Sequence, residues 1–293
     1  MQYIIYLLAY PLIWGISMLP FRLLYLTSDL VYFVTYRIIG YRKKTVRKNL
    51  ALALPNLSDK ERLNIEIKFY HHMCDMFLEM VKTMNISKEE ICKRFVFKNI
   101  EMYKEIEKQG KSVAIICSHY ASYEWIISMN YYSDFVAYGI YKQLKNPYFD
   151  KLVHKIRSRF NAKLITTRQT VPTIINNNKN NILALYGFAS DQSPKAKGAL
   201  HWSTFMGIEV PVYVGAEMLS KRYNMNLLYL NTKKVKRGHY EATLELLSDN
   251  AKDVPDFELT NQYLHLLEKQ IYEAPEFYLW THKRWKYRRE ESI

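Results

Sequence analysis

Residues 112–125 read SVAIICSHYASYEW, and this stretch decides the fold. Val113 to Cys117 is a short, unbroken apolar run, as expected of a strand covered on both faces. Strands of that kind belong to a largely parallel or mixed sheet with helices packed on it. Directly after the run comes a polar box, from Ser118 to Trp125. In open α/β sheets, sites form at the carboxyl ends of strands, so chemistry is sought first in this box.

Outward from it, apolar runs and helical patterns alternate. Towards the carboxyl terminus the pattern predicts a helix over Ser122–Asn130, a strand over Phe135–Tyr141, a helix over Pro147–Phe160 and a strand over Ala162–Thr166. A helix near Val171–Asn177, a strand over Asn181–Phe188 and a loop over Ala189–Leu200 follow. Val210–Val214 is expected as a strand, Gly215–Arg222 as a helix, Met225–Asn231 and Tyr240–Leu247 as strands, and Leu259–Tyr272 as a last helix. Towards the amino terminus, Gly110 ends a helix over Ile100–Lys108. Ser58, with Glu61 three residues on, marks a capped start for a helix reaching about Lys82. Its apolar side is expected to carry Leu63, Ile67, Tyr70, Cys74, Phe77, Leu78 and Val81. This is one α/β domain, over residues 41–293, without internal repeats.

Residues 1–40 differ in kind. Met1–Phe21 holds no charged residue, and a second apolar stretch runs from Leu23 to Ile39. The first run is long enough to cross or deeply enter a bilayer, though Pro11, Gly15 and Pro20 interrupt it. It lacks the features of a cleaved signal, so a retained N-terminal membrane anchor is expected. The 293-residue chain carries 42 Lys and Arg against 28 Asp and Glu. Much of that excess lies in two runs mixed with aromatics: Arg37, Arg42, Lys43, Lys44, Arg47 and Lys48, then Lys283, Arg284, Lys286, Arg288 and Arg289. Such runs suit anionic headgroups, and the positive-inside rule places them on the cytoplasmic side. The apolar lead argues against a nucleic-acid partner. Three sparse cysteines, 74, 92 and 117, argue against a disulfide framework.

Within the polar box, His119 and Glu124 stand five apart. A carboxylate on one imidazole nitrogen fixes the tautomer and raises the basicity of the other. Such a pair can deprotonate an alcohol, which is what acyl transfer to a hydroxyl requires. No nucleotide-binding, zinc-protease or serine-hydrolase motif is present.

The box resembles the H-x-x-x-x-[D/E] signature of glycerolipid and lipid A acyltransferases. Further stretches are similar to the lipid A late acyltransferase family. They are Arg47-Lys48-Asn49-Leu50, Gly139–Lys142 with Asn146–Asp150, Ala189-Ser190-Asp191-Gln192, and above all the ending Ala274–Lys286, APEFYLWTHKRWK. The middle of the box departs from the family's H-x-G-N-W-E, with Ala121, Ser122 and Tyr123 in those places, and Lys142 stands where the family commonly has Arg. The resemblance implies an acyl thioester donor, on acyl carrier protein or coenzyme A, and a hydroxyl of a lipid A precursor as acceptor. It implies no metal and no cofactor, and a place on the cytoplasmic face of the inner membrane. In that scheme His119 is the base and Glu124 orients it. Backbone N–H groups at Ala121 and Ser122 hold the oxyanion, and Lys142, Asp191, Lys283 and Arg284 contact substrate, with His282 and Lys286 adding positive charge. Two alternatives remain: the same chemistry on another lipid (ornithine-type lipid, glycolipid or polyene pigment), or a non-catalytic protein that binds anionic lipid.

Overall fold

The computed structural model describes residues 2–289. Two helices, α1 (Gln2–Met18) and α2 (Phe21–Tyr32), lead through a π-helical stretch, Phe33–Ile39, to α3 (Lys43–Ala53) and the long α4 (Asp59–Lys82). Next come α5 (Lys88–Arg94), β1 (Phe95–Phe97), α6 (Ile100–Lys108) and β2 (Val113–Cys117). Then follow β3 (Val136–Tyr141), α7 (Pro147–Arg157), β4 (Lys163–Thr166), α8 (Thr170–Lys179) and β5 (Ala184–Ala189). A hairpin of β6 (Trp202–Phe205) and β7 (Ile208–Pro211) precedes α9 (Gly215–Tyr223), β8 (Asn226–Lys236), β9 (His239–Ser248) and α10 (Glu258–Glu273).

Seven strands form one sheet in the order β1-β9-β8-β2-β5-β3-β4. Every neighbouring pair is parallel except β8 with β9. β2 lies at the centre with all five residues buried, as its apolar run predicts. The expected α/β architecture holds, with local differences. Ser122–Asn130 is no α-helix: the chain turns irregularly and then forms a 3-10 helix over Trp125–Tyr131. The helix expected to reach Phe160 ends at Arg157 and gives way to a 3-10 turn. The β6–β7 hairpin replaces the single strand expected at Val210–Val214. Its two-residue turn, Met206-Gly207, has positive φ at both positions, as a tight hairpin demands.

Helix α4 starts as predicted, with Ser58 and Glu61 completing a reciprocal capping box. Its buried side matches the expected one only in part: Tyr70, Cys74 and Leu78 are buried. Leu63 and Phe77 are exposed, while Glu66, His72, Asp75 and Glu79 are buried. The reason is an ionic and hydroxyl network that apolar spacing does not reveal. Arg237 reaches both Asp75 oxygens, at 2.7 and 2.9 Å, and Asp29 at 2.6 Å, while Ser28 donates to Asp75 at 2.7 Å. Tyr25 and Tyr240 both donate to Glu79 at 2.9 Å. The network bolts α2 to α4 and to the β8–β9 edge.

Burial raises the Glu79 carboxyl to about 7. The folded protein therefore keeps a proton that the unfolded chain releases near 4.5. The stability this adds is complete below pH 4.5 and is lost as pH rises to about 7. Glu79→Gln is expected to flatten the dependence of Tm on pH across that window, and an unchanged slope would assign the dependence elsewhere.

The first 40 residues pack on the domain. Lys82 donates to the carbonyls of Ser17 and Leu19, at 3.0 and 2.7 Å, and so closes the end of α1. Leu24, Ser28 and Tyr32 are buried. Tyr3 and Tyr6 of α1 lie against Tyr148 of α7. The expected anchor is broken at Pro20, and among the described residues no helix is long and apolar enough to cross a membrane. Much of its apolar surface remains exposed, including Ile4, Leu8, Leu12, Trp14, Leu26, Leu30, Ile38 and Ile39.

Candidate active site

β2 and β5 are neighbours in register, Cys117 beside Ala189. Two residues past each strand end come His119 and Asp191, and they meet. The Asp191 Oδ1 accepts from the His119 backbone N–H at 3.1 Å and lies 2.7 Å from Nδ1. Asp191 is buried and His119 is partly open, its side chain 21% exposed. A carboxylate on Nδ1 puts the ring proton there and leaves Nε2 with a free lone pair. Burial disfavours the imidazolium, but the adjacent Asp191 charge outweighs it and raises the histidine above its ordinary 6.5. Burial likewise pushes the Asp191 carboxyl up, and His119 with its backbone N–H more than reverses this, leaving it below 3.8.

The hydrogen bond expected from Glu124 is therefore made by Asp191, a residue read from the sequence as a substrate contact. Glu124 is buried and grips Arg157, at the end of α7, with both oxygens at 2.9 and 2.5 Å. The irregular turn after β2 sends the Glu124 side chain to α7, where the expected helix would have stacked it near the histidine. Glu124 still acts on His119 through space, raising its pKa, while Arg157 lowers it. Arg157 escaped sequence reading because nothing in its neighbourhood distinguishes it from a surface arginine.

The expected oxyanion donors do not stand as predicted. The Ala121 N–H is taken by the Phe277 carbonyl at 2.9 Å. Ser122 is fully buried and lies ahead of a seven-residue 3-10 helix, so no α-helix start points its N–H at a substrate. Ala121 adopts φ +49°, a left-handed conformation that favours glycine. Ala121→Gly is expected to stabilise the fold by about 0.5–1 kcal/mol, strain relief being partly offset by a freer unfolded chain. A lower denaturation midpoint in that variant would contradict the strain.

Lys142 is exposed, one residue past β3, on the same carboxyl edge as His119 but across β5. Its loop is set by Asp150, which accepts from the Leu144 N–H at 2.8 Å, and by Asn146, which caps α7. Lys283 is exposed too. Arg284 is not a surface contact. It is 1% exposed, lies over the Phe205 ring, and donates to Ser193 Oγ and the Pro211 carbonyl at 3.1 and 3.2 Å. It braces the loop that carries Asp191. Burial holds His282 neutral, at about 4, so it adds no charge to the basic surface.

The carboxyl-terminal segment is clamped to the polar box. Leu279 N–H donates to the His119 carbonyl at 3.1 Å, and Tyr120 bridges to Tyr278. Asn49 donates to the carbonyls of Trp280 and His282 at 2.8 and 2.7 Å, and Arg42 to that of Thr281 at 3.0 Å. The first basic run is thus tied, through Arg42 and the neighbouring Asn49, to the residues just ahead of the second. Beside His119 lies a recess of about 10 Å³, room for roughly one water, walled mainly by Phe69, Met73, Met76 and Phe277.

A profile of the bacterial lipid A biosynthesis acyltransferases matches residues 1–287. The chain belongs to this family. It is an O-acyltransferase of lipid A biosynthesis with a single α/β domain. Among curated relatives it is 22% identical to a lipid A biosynthesis lauroyltransferase of Escherichia coli K12, over 97% of this chain and 92% of the relative. It is also 22% identical to a lipid A biosynthesis palmitoleoyltransferase of the same strain, over 94% and 89% of the two chains. Three of the segments of this acyltransferase that resembled the family in sequence meet around His119: the box after β2, the loop after β5 and the clamped ending.

Proposed function

We propose that this acyltransferase moves a fatty acyl chain from a thioester to a hydroxyl of a lipid A precursor, with His119 as general base. The Asp191–His119 hydrogen bond at the carboxyl ends of two adjacent parallel strands carries this assignment. The acceptor hydroxyl gives its proton to His119 Nε2 as its oxygen attacks the thioester carbonyl carbon. Asp191 holds the imidazolium that forms, and Glu124 adds a second negative charge nearby. The tetrahedral intermediate then collapses, the C–S bond breaks, and the proton passes from His119 to the departing thiolate. The products are an ester and a free thiol. The donor is an acyl carrier protein thioester, for which the exposed Arg42, Lys44, Lys48, Lys283 and Lys286 supply complementary charge, with acyl coenzyme A as the other candidate.

The apolar residues of α1, α2 and the π-helical stretch support attachment to the cytoplasmic face of the inner membrane. They are exposed next to Arg37, Arg42, Lys44 and Lys48, which suit anionic headgroups. The start of α1 packs on α7, with Asn146 donating to the Gln2 carbonyl at 3.4 Å, and this brings one end of the apolar surface beside the Lys142 loop.

Purified protein in anionic vesicles, given labelled acyl thioester and a lipid A precursor, is expected to form an ester on the precursor. Mass spectrometry of lipids from cells without the gene should show lipid A short of one acyl chain. A full set of chains in those cells would refute the acceptor. A protein that remains in solution when mixed with anionic vesicles would refute the attachment.

A further inference from the structure

The reaction needs a donor for the negative charge that develops on the carbonyl oxygen, and the Ala121 N–H already has a partner. We propose that the side-chain amide of Gln192 is that donor. The assignment rests on the acyl-transfer function above and concerns a residue to which sequence reading gave no role.

Gln192 follows Asp191, and its Nε2 lies 3.3 Å from His119 Nε2 and 3.5 Å from Nδ1. Being nearly equidistant from the two ring nitrogens, the amide flanks the ring and does not lie along the Nε2 lone pair. That leaves the lone pair to the acceptor hydroxyl and places N–H donors next to the atom where bonds change. His119 carries its ring proton on the Asp191 side, so the group facing the ring from Gln192 is suitably its NH₂ end. Among the described residues, no other hydrogen bond engages this carboxamide. The residues on both sides of it are held by their side chains. Asp191 is bonded to His119, and Ser193 exchanges hydrogen bonds with Arg284, donating to its carbonyl and accepting from its guanidinium. An amide held this way needs little reorganisation as charge appears, which is what makes a donor effective in catalysis. The Gln192 NH₂ hydrogen-bonds the oxyanion while the acceptor oxygen bonds to the carbonyl carbon. It gives up no proton, and the bond weakens again when the carbonyl re-forms.

The test compares wild type with Gln192→Ala and the isosteric Gln192→Glu, which has no N–H to offer. Both are expected to lose on the order of 10²–10³-fold in kcat, with KM within a few-fold of wild type. A second readout needs no turnover. An N–H dipole facing the imidazole disfavours its protonation, so NMR titration of His119 should show a raised pKa in Gln192→Ala and a larger rise in Gln192→Glu. A kcat within threefold of wild type in folded Gln192→Ala overturns the proposal, as does an unmoved His119 titration. Wild-type protein that acylates no lipid from any thioester overturns the underlying function. The titration tells the two failures apart, since it reads the Gln192–His119 contact alone.

Discussion

His119→Ala is expected to abolish all but about 1% of acyl transfer or less, since a positioned base contributes roughly 10²-fold or more. Asp191→Asn should cost on the order of 10²-fold as well, and it should change the pH profile. The base works only when neutral, so wild-type activity rises with pH through a value above histidine's ordinary 6.5. Without the Asp191 charge, burial lowers that value, and the residual activity of Asp191→Asn should reach its plateau at lower pH than wild type. A profile shifted upwards, or not shifted, would remove Asp191 from the role of orienting carboxylate. Glu124 is expected to act as one unit with Arg157. Glu124→Gln and Arg157→Met should cost the same, and the double variant should cost no more than either, which a double-mutant cycle would read directly. Additive losses would refute a shared role.

Trp280→Ala is expected to have the largest effect on stability, about 3–5 kcal/mol in denaturant unfolding. Its side chain is fully buried, stacks on Trp285 with ring centres 6.0 Å apart, and donates to the Pro275 carbonyl at 2.7 Å. The loss should not stop at stability. The segment it anchors supplies the Phe277 carbonyl to Ala121 N–H and the Leu279 N–H to the His119 carbonyl. Protein that remains folded should therefore acylate more slowly than wild type. A cost under about 1 kcal/mol would mean that the ending is held without its tryptophan.

The same segment shows why motif and mechanism were read differently. In the sequence, APEFYLWTHKRWK is dense in basic residues, and Arg284 reads as a headgroup contact. In the fold, its neighbours Phe205 and Ser193 arrive from a hairpin and a loop some 80–90 residues earlier, and they bury the guanidinium. Helix α4 makes a similar point. Its capped start and the burial of Tyr70, Cys74 and Leu78 were legible, yet Glu66, Asp75 and Glu79 face inward because Tyr36, Arg47, Arg237, Tyr25 and Tyr240 come to meet them. Periodicity sees only which residues avoid water, not which polar groups find partners.

Local chemistry by itself determined a good deal. The Val113–Cys117 run requires a covered strand, Ser58 and Glu61 start a helix wherever the chain goes, Gly110 can end one at φ +67°, and an uncharged lead with basic runs behind it calls for an apolar surface beside a positive one. His119 was identifiable because it directly follows that strand. Which carboxylate serves it was a matter of sheet order. Glu124 is five residues away along the chain and Asp191 is 72, yet β5 is hydrogen-bonded next to β2, so the distant residue lands on Nδ1 while the near one turns away to Arg157. Spacing along a chain limits reach only where the backbone is regular. Once strands from separate parts of the sequence align in register, distance in space follows the sheet.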